Sequence, residues 1–171
     1  MSKTKWHSKA IYAFVALAMT LGLLLAPAAV GANPAPSVSI DPATETVSPG
    51  DTFSVDVVVD SETYLVRSCH VEVEYDSDVF TASIPVYQNL LGATGILIEP
   101  ITPVVGLVQY GVGRVITTNP AATVSGALIT IEFEVDSAAE ADTYTLELEN
   151  ISLKDESGNT AFYNDTMRDV V

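Results

Sequence analysis

The sequence predicts an all-β protein, folded as two packed antiparallel sheets in a sandwich or jelly roll. Three observations carry this. Apolar residues recur with period two, and no stretch holds helical spacing over three turns. Val, Ile and Thr, which suit a pleated and half-buried surface, are abundant throughout. Pro, Gly, Asp and Asn interrupt these runs at short intervals, as turns between strands require. About nine short segments result, with no internal repeat and no linker, and two facing sheets are the natural way to bury them.

The segments follow in order. Residues 37–40 open the domain, and Pro49-Gly50-Asp51 is a turn in which Pro presets φ and Gly permits positive φ. Residues 52–59 follow, with Phe53, Val55, Val57 and Val59 on one face. The clearest strand is 65–75: Cys69, Val71, Val73 and Tyr75 point one way, Ser68, His70, Glu72 and Glu74 the other. One side is therefore buried and one wet. Asp76-Ser77-Asp78 turns the chain into a short strand at 79–83, and 85–95 reads as irregular. Strands are expected at 96–101 and 106–116, and a loop from Asn119-Pro120 packs against one end of the sandwich. Residues 127–135 offer Leu128, Ile129, Ile131, Phe133 and Val135 to the core. Residues 143–150 place Tyr144, Leu146 and Leu148 on one face and Glu147 and Glu149 on the other. Ser157-Gly158-Asn159 is a turn, and 169–171 reads as a last strand.

The first 32 residues belong to another class of sequence. Lys3, Lys5 and Lys9 precede an apolar run over 11–30, and small residues close it at Val30-Gly31-Ala32. That order describes a secretory signal peptide, expected to be cut after Ala32, or after Gly31 as second choice. The alternative is an uncleaved anchor, since about 20 apolar residues span a bilayer. Pro27 and the small residues after it oppose that reading. Residues 33–36 form a stiff Pro-containing leader, and 37–171 the folded domain.

Charge narrows the function classes. All 22 acidic residues but only four basic ones (Arg67, Arg114, Lys154 and Arg168) fall in 33–171, a net charge there of −18. Such a surface repels nucleic acid and anionic lipid, so neither is expected as a partner, nor a membrane once the signal is removed. It suits a basic partner or a saline exterior. Cys69 is the lone cysteine and reads as a small core residue. No enzyme is expected. His70 is the one histidine beyond the signal, and no Gly-rich phosphate loop opens a helix. Nothing marks a carboxylate pair as buried and shifted for acid–base work. No cofactor or metal is expected. Asp155 to Asn159 faintly suggests a calcium loop, but the ladder of oxygen ligands with a distal Glu is missing, and a turn explains the composition better. Asn150-Ile151-Ser152 and Asn164-Asp165-Thr166 are glycosylation sequons.

Three stretches carry a family resemblance. "VSIDPATETVSPGDTFSVDVVVD" is similar to the opening of cohesin domains. "CHVEVEYDSDVF" resembles the cohesin third strand with its Tyr-Asp turn, and "GALITIEFEVDSAAEADTYTLELENISLKDESGN" resembles the seventh and eighth strands and the turn beyond. Order and spacing hold from about Ser37 to Val171. The resemblance implies a nine-stranded jelly-roll β-sandwich, related in fold to carbohydrate-binding modules. It also implies a non-catalytic role, the binding of a dockerin-bearing secreted protein on a flat face that includes the exposed side of the third strand. Here that side is Ser68, His70, Glu72 and Glu74, and His70 stands where some cohesins carry an acid.

The residues themselves extend this face. Gln109 and Gly111 on the sixth predicted strand and Glu147 and Glu149 on the eighth are candidates beside it. Gly111 and Gly113 would lower the relief and admit a partner helix, and the acids would suit its Lys or Arg side chains. Two rival functions stay open. One is polysaccharide binding, for which Tyr64, Tyr87, Tyr110 and Tyr163 are the available stacking platforms once Trp6 leaves with the signal. The other is a structural element of a cell envelope. A monomer is expected in each case.

Overall fold

The computed structural model describes residues 35–92, 96–98, 104–115 and 120–170, with the backbone alone for 96–98 and 161–170. The expected signal peptide lies outside the described residues. Among the described residues there are ten strands: β1 (Ser37–Asp41), β2 (Thr52–Asp60), β3 (Ser68–Glu74), β4 (Phe80–Ala82), β5 (Val86–Tyr87), β6 (Ile96–Ile98), β7 (Leu107–Arg114), β8 (Ser125–Val135), β9 (Thr145–Lys154) and β10 (Thr160–Val170). All pair antiparallel. One sheet has the order β1-β2-β8-β4, with β5 also on β8, and the other the order β10-β9-β3-β7-β6.

The apolar faces meet between the sheets. Val55, Val57, Val59, Ile131 and Phe133 from the first sheet and Val71, Val73, Val108, Leu146 and Leu148 from the second are all at most 1% exposed. Phe133 is the hub of an aromatic cluster, with ring centroids 5.5 Å from Phe53, 5.4 Å from Tyr75 and 6.1 Å from Phe80. The turn before β2 has the expected chemistry: Asp51 N–H donates to Ser48 O at 3.0 Å, and Gly50 takes φ +87°. The loop before β8 does pack against one end, where Val66 and Ala122 form a β-bridge and Val124 N–H donates to Ser61 Oγ at 2.8 Å.

Three departures from strict alternation matter. Leu128 and Ile129 are adjacent yet both fully buried, because the β2–β8 register slips between Val57 and Val58 and Leu128 is the extra residue of a bulge. A second slip, between His70 and Glu72, puts an extra residue into β9 at Asn150, where φ is +47°. The phase reverses there, so β9 continues to Lys154 and buries Ile151 and Leu153 instead of ending at 150. The last strand is β10, eleven residues long along the edge of β9, rather than the three residues 169–171. Its sequence, TAFYNDTMRDV, lacks a period-two signal. The strand beyond the nine expected is β5, which falls in the segment that reads as irregular, and at two residues it is too short to show a period.

Candidate partner-binding face

The second sheet brings the predicted site residues onto one outer face. β3 is its central strand. Ser68, His70 and Glu72 stand opposite Gly113, Gly111 and Gln109 of β7, and opposite Lys154, Ser152 and Glu149 of β9. Glu74 pairs in register with Leu107 on one side and Glu147 on the other. Strand pleating explains the placement: Cys69, Val71 and Val73 go to the core, so their neighbours face outward.

A shallow groove of about 670 Å³ runs over this face, lined by Ser68, His70, Glu72, Gly111, Gly113, Asn150, Ser152, Lys154 and Thr160. Its floor is low on the β7 side. A Cβ on Gly113 would lie 3.5 Å from Ser68 Cβ, an ordinary contact, so the backbone does not demand glycine there. What the glycine leaves is open surface. Glu74, Gln109 and Glu147 lie on the same face beyond the groove lining.

Glu72 is held by three side chains of the face. Gln109 Nε2 donates to its Oε1 at 2.7 Å, His70 Nε2 lies 3.3 Å from the same oxygen, and Asn150 Nδ2 donates to Oε2 at 2.5 Å. The Glu72 side chain is 13% exposed and that of His70 38%. Burial pushes the Glu72 carboxyl up, but the hydrogen bonds from Asn150, His70 and Gln109, with the nearby imidazole, outweigh burial and hold it below the usual carboxylate range. The result is a carboxylate kept ionised, oriented and partly withdrawn from water.

Four residues of this groove escaped the sequence reading: Asn150, Ser152, Lys154 and Thr160. The first three lie on β9 at and beyond the bulge. Their signal was the adjacent polar pair Glu149-Asn150, which reads as a strand end and is in fact a change of phase.

Other candidates resolve differently. Tyr110 is not a stacking platform. It shares inward parity with Val108 and Val112, is 4% exposed and stacks on Tyr87 at 6.3 Å. Tyr64 is 40% exposed, and the side chain of Tyr163 lies outside the described residues. Cys69 is buried beneath the face, and burial pushes its thiol up to about 12 against the lowering effect of Arg114. The Asp155 carboxylate serves its own turn. Oδ1 accepts from Ser157 N–H at 2.8 Å and Asn159 N–H at 2.9 Å, and Oδ2 accepts from Asn159 Nδ2 at 3.1 Å. Asp76 likewise caps its turn, accepting from Asp78 N–H at 2.9 Å.

Comparison with known proteins agrees with this architecture. The cohesin domain family profile matches residues 36–169. Among solved structures, the cohesin CaCohA2 of Clostridium acetobutylicum is similar, with TM-score 0.64 and 20% identity, over 80% of this chain and 90% of that one. The sixth cohesin of scaffoldin B from Acetivibrio cellulolyticus, solved in complex with a Cel5 dockerin, gives TM-score 0.64 and 14% identity over 81% of this chain and 98% of that one. A non-cellulosomal cohesin from the archaeon Archaeoglobus fulgidus gives 0.52 and 18% identity over 71% and 82%. A search of curated protein sequences returned no match. At these identities the structural likeness speaks for the jelly-roll fold, and the profile, spanning nearly all of 37–171, speaks for the family. The chain belongs to the cohesin domain family.

Proposed function

We propose that this chain is a secreted, non-catalytic cohesin module that holds a dockerin-bearing protein on the outer face of β3. The observation that carries the proposal is the groove over β3, β7 and β9, with a low glycine side and the oriented Glu72 carboxylate within it. A partner helix can lie close to such a surface, and a lysine or arginine on it would meet the fixed carboxylate. Ser68, His70, Glu72, Glu74, Gln109, Gly111 and Glu147 are the residues assigned to this contact. Secretion is supported by the charged start, apolar run and small-residue end of 1–32.

The test is capture on the immobilised full domain from secreted proteins of the same organism, in calcium and then in chelator. A calcium-loaded dockerin-bearing protein should be retained and then released by the chelator, since dockerins resemble paired calcium loops. Recovery of no dockerin-bearing protein, together with clear retention of the domain on a polysaccharide, would sink the proposal in favour of sugar binding.

A further inference from the structure

The bulge in β9 has a chemical product. It places Asn150 in the left-handed region at φ +47°, a conformation that Asn tolerates better than most side chains. Bulges re-aim side chains, and this one turns Glu149 and Asn150 away from the core in succession. The Asn150 amide thereby reaches across to β3 and donates to Glu72 Oε2, the oxygen that neither Gln109 nor His70 touches. A carboxylate has about four lone-pair sites, and these three contacts leave about one for an incoming donor. Among the side chains described, the one with ion-pair geometry to Glu72 is His70, which carries charge only when protonated.

We propose that Asn150 is the positioning residue of the binding face: its amide holds the Glu72 carboxylate in the groove as the anchor for a lysine or arginine of the partner. This rests on the reading of that face as the docking surface. Asn150 acts through Glu72. The ionised carboxylate meets the cation without first having to be turned or stripped of a mobile side chain's freedom.

The discriminating variants are Asn150→Gly, Asn150→Asp, Glu72→Gln and the double variant N150G/E72Q in the full chain. Glycine keeps the positive φ and removes the donor. Aspartate keeps the size and the left-handed tolerance but faces Glu72 with an acceptor. Two readouts serve: the titration of the Glu72 carboxyl carbon by NMR in the free protein, and calorimetric affinity for a calcium-loaded dockerin module from a captured protein. In N150G the Glu72 midpoint should rise toward the ordinary carboxylate range, and affinity should fall about tenfold, as loss of a hydrogen bond to a charged group implies. N150D should bind more weakly still at neutral pH. E72Q should lose at least as much as N150G, and N150G/E72Q should bind like E72Q alone, because a residue that acts through another adds nothing once that other is gone. Additive losses in the double variant, or an unmoved Glu72 midpoint in N150G, would overturn the positioning role. Weakened binding in E72Q but not in N150G overturns that role and leaves the face standing. Undiminished binding in both overturns the role and the face together.

Discussion

The two sheets share one core but differ in the charges they carry: the strands of the first are purely acidic and those of the second mixed. The strands of the first sheet, β1, β2, β4, β5 and β8, carry Asp41, Asp56, Asp60, Glu132 and Glu134 and no Lys, Arg or His. Every such residue after residue 32 lies on or beside the second sheet: Arg67, His70, Arg114, Lys154 and Arg168. The first face settles its polarity within itself. Thr130 Oγ1 donates to Asp56 Oδ1 at 2.5 Å, and Gln88 Nε2 donates to Thr130 at 2.8 Å. The second face concentrates three contacts on one carboxylate above a groove. A uniformly acidic surface keeps molecules apart, whereas a mixed surface with a fixed anion can select a partner. Net charge does not distinguish the two faces; the distribution of the few cations does.

The largest expected effect lies in what the sheets share. Phe133→Ala removes the ring that touches Phe53, Tyr75 and Phe80, and it is fully buried. The expected loss is about 3–5 kcal/mol in a guanidinium unfolding titration. Phe133 belongs to the first sheet and Tyr75 follows β3 of the second, so both sheets should unfold in one transition. Two separated transitions would mean that the sheets are energetically independent.

The next effect should separate the faces. Glu72→Gln is expected to weaken dockerin binding by about tenfold or more, while Glu132→Gln on the first sheet leaves it within about twofold, since an anchoring charge pair counts for far more than a distant exposed charge. Equal losses would show that overall acidity, not the oriented carboxylate, attracts the partner. The pH dependence carries a sign. Because the folded Glu72 sits below the ordinary glutamate value of 4.5, its contribution to stability is fully present above that value and is lost as pH falls through the lower folded one. Binding that depends on ionised Glu72 should therefore hold steady from neutral pH to about 5 and decline below the ordinary carboxylate range. Affinity measured across that range in wild type and E72Q checks it: the two curves should converge at the acid end.

Much of this arrangement was legible in the residues, and the gaps have a common cause. Alternation placed β2 and β3 with the correct faces, because each has one clean wet side and one clean dry side. Position along β3 was enough to gather Ser68, His70, Glu72 and Glu74, and the second sheet added Gln109, Gly111 and Glu147 in register. Asn150 and Lys154 were missed because a bulge changes the phase of a strand without changing its composition. The doublets Leu128-Ile129 and Glu149-Asn150 are the visible traces of the two bulges. One is apolar and was absorbed into the core without harm; the other is polar and was read as an ending. Tyr110 was misplaced for a simpler reason: a Tyr beside Gln109 looks exposed until its parity with Val108 and Val112 is followed.

The smallest expected effect sharpens the same division at the scale of one strand. Cys69 and His70 are neighbours on β3, yet the first is buried at 2% exposure and the side chain of the second is 38% exposed. Burial holds the Cys69 thiol near 12, so almost none is thiolate at pH 8, and the thiolate is the reactive form. The native protein should therefore resist a thiol-specific disulfide reagent at pH 8 for hours and react at one equivalent once unfolded in guanidinium. Binding of a dockerin module over the face should change little, because the barrier is the core packing beneath rather than the cover above. Rapid reaction of the native protein that slows on dockerin binding would contradict this, and would mean that β3 opens locally within the proposed binding face.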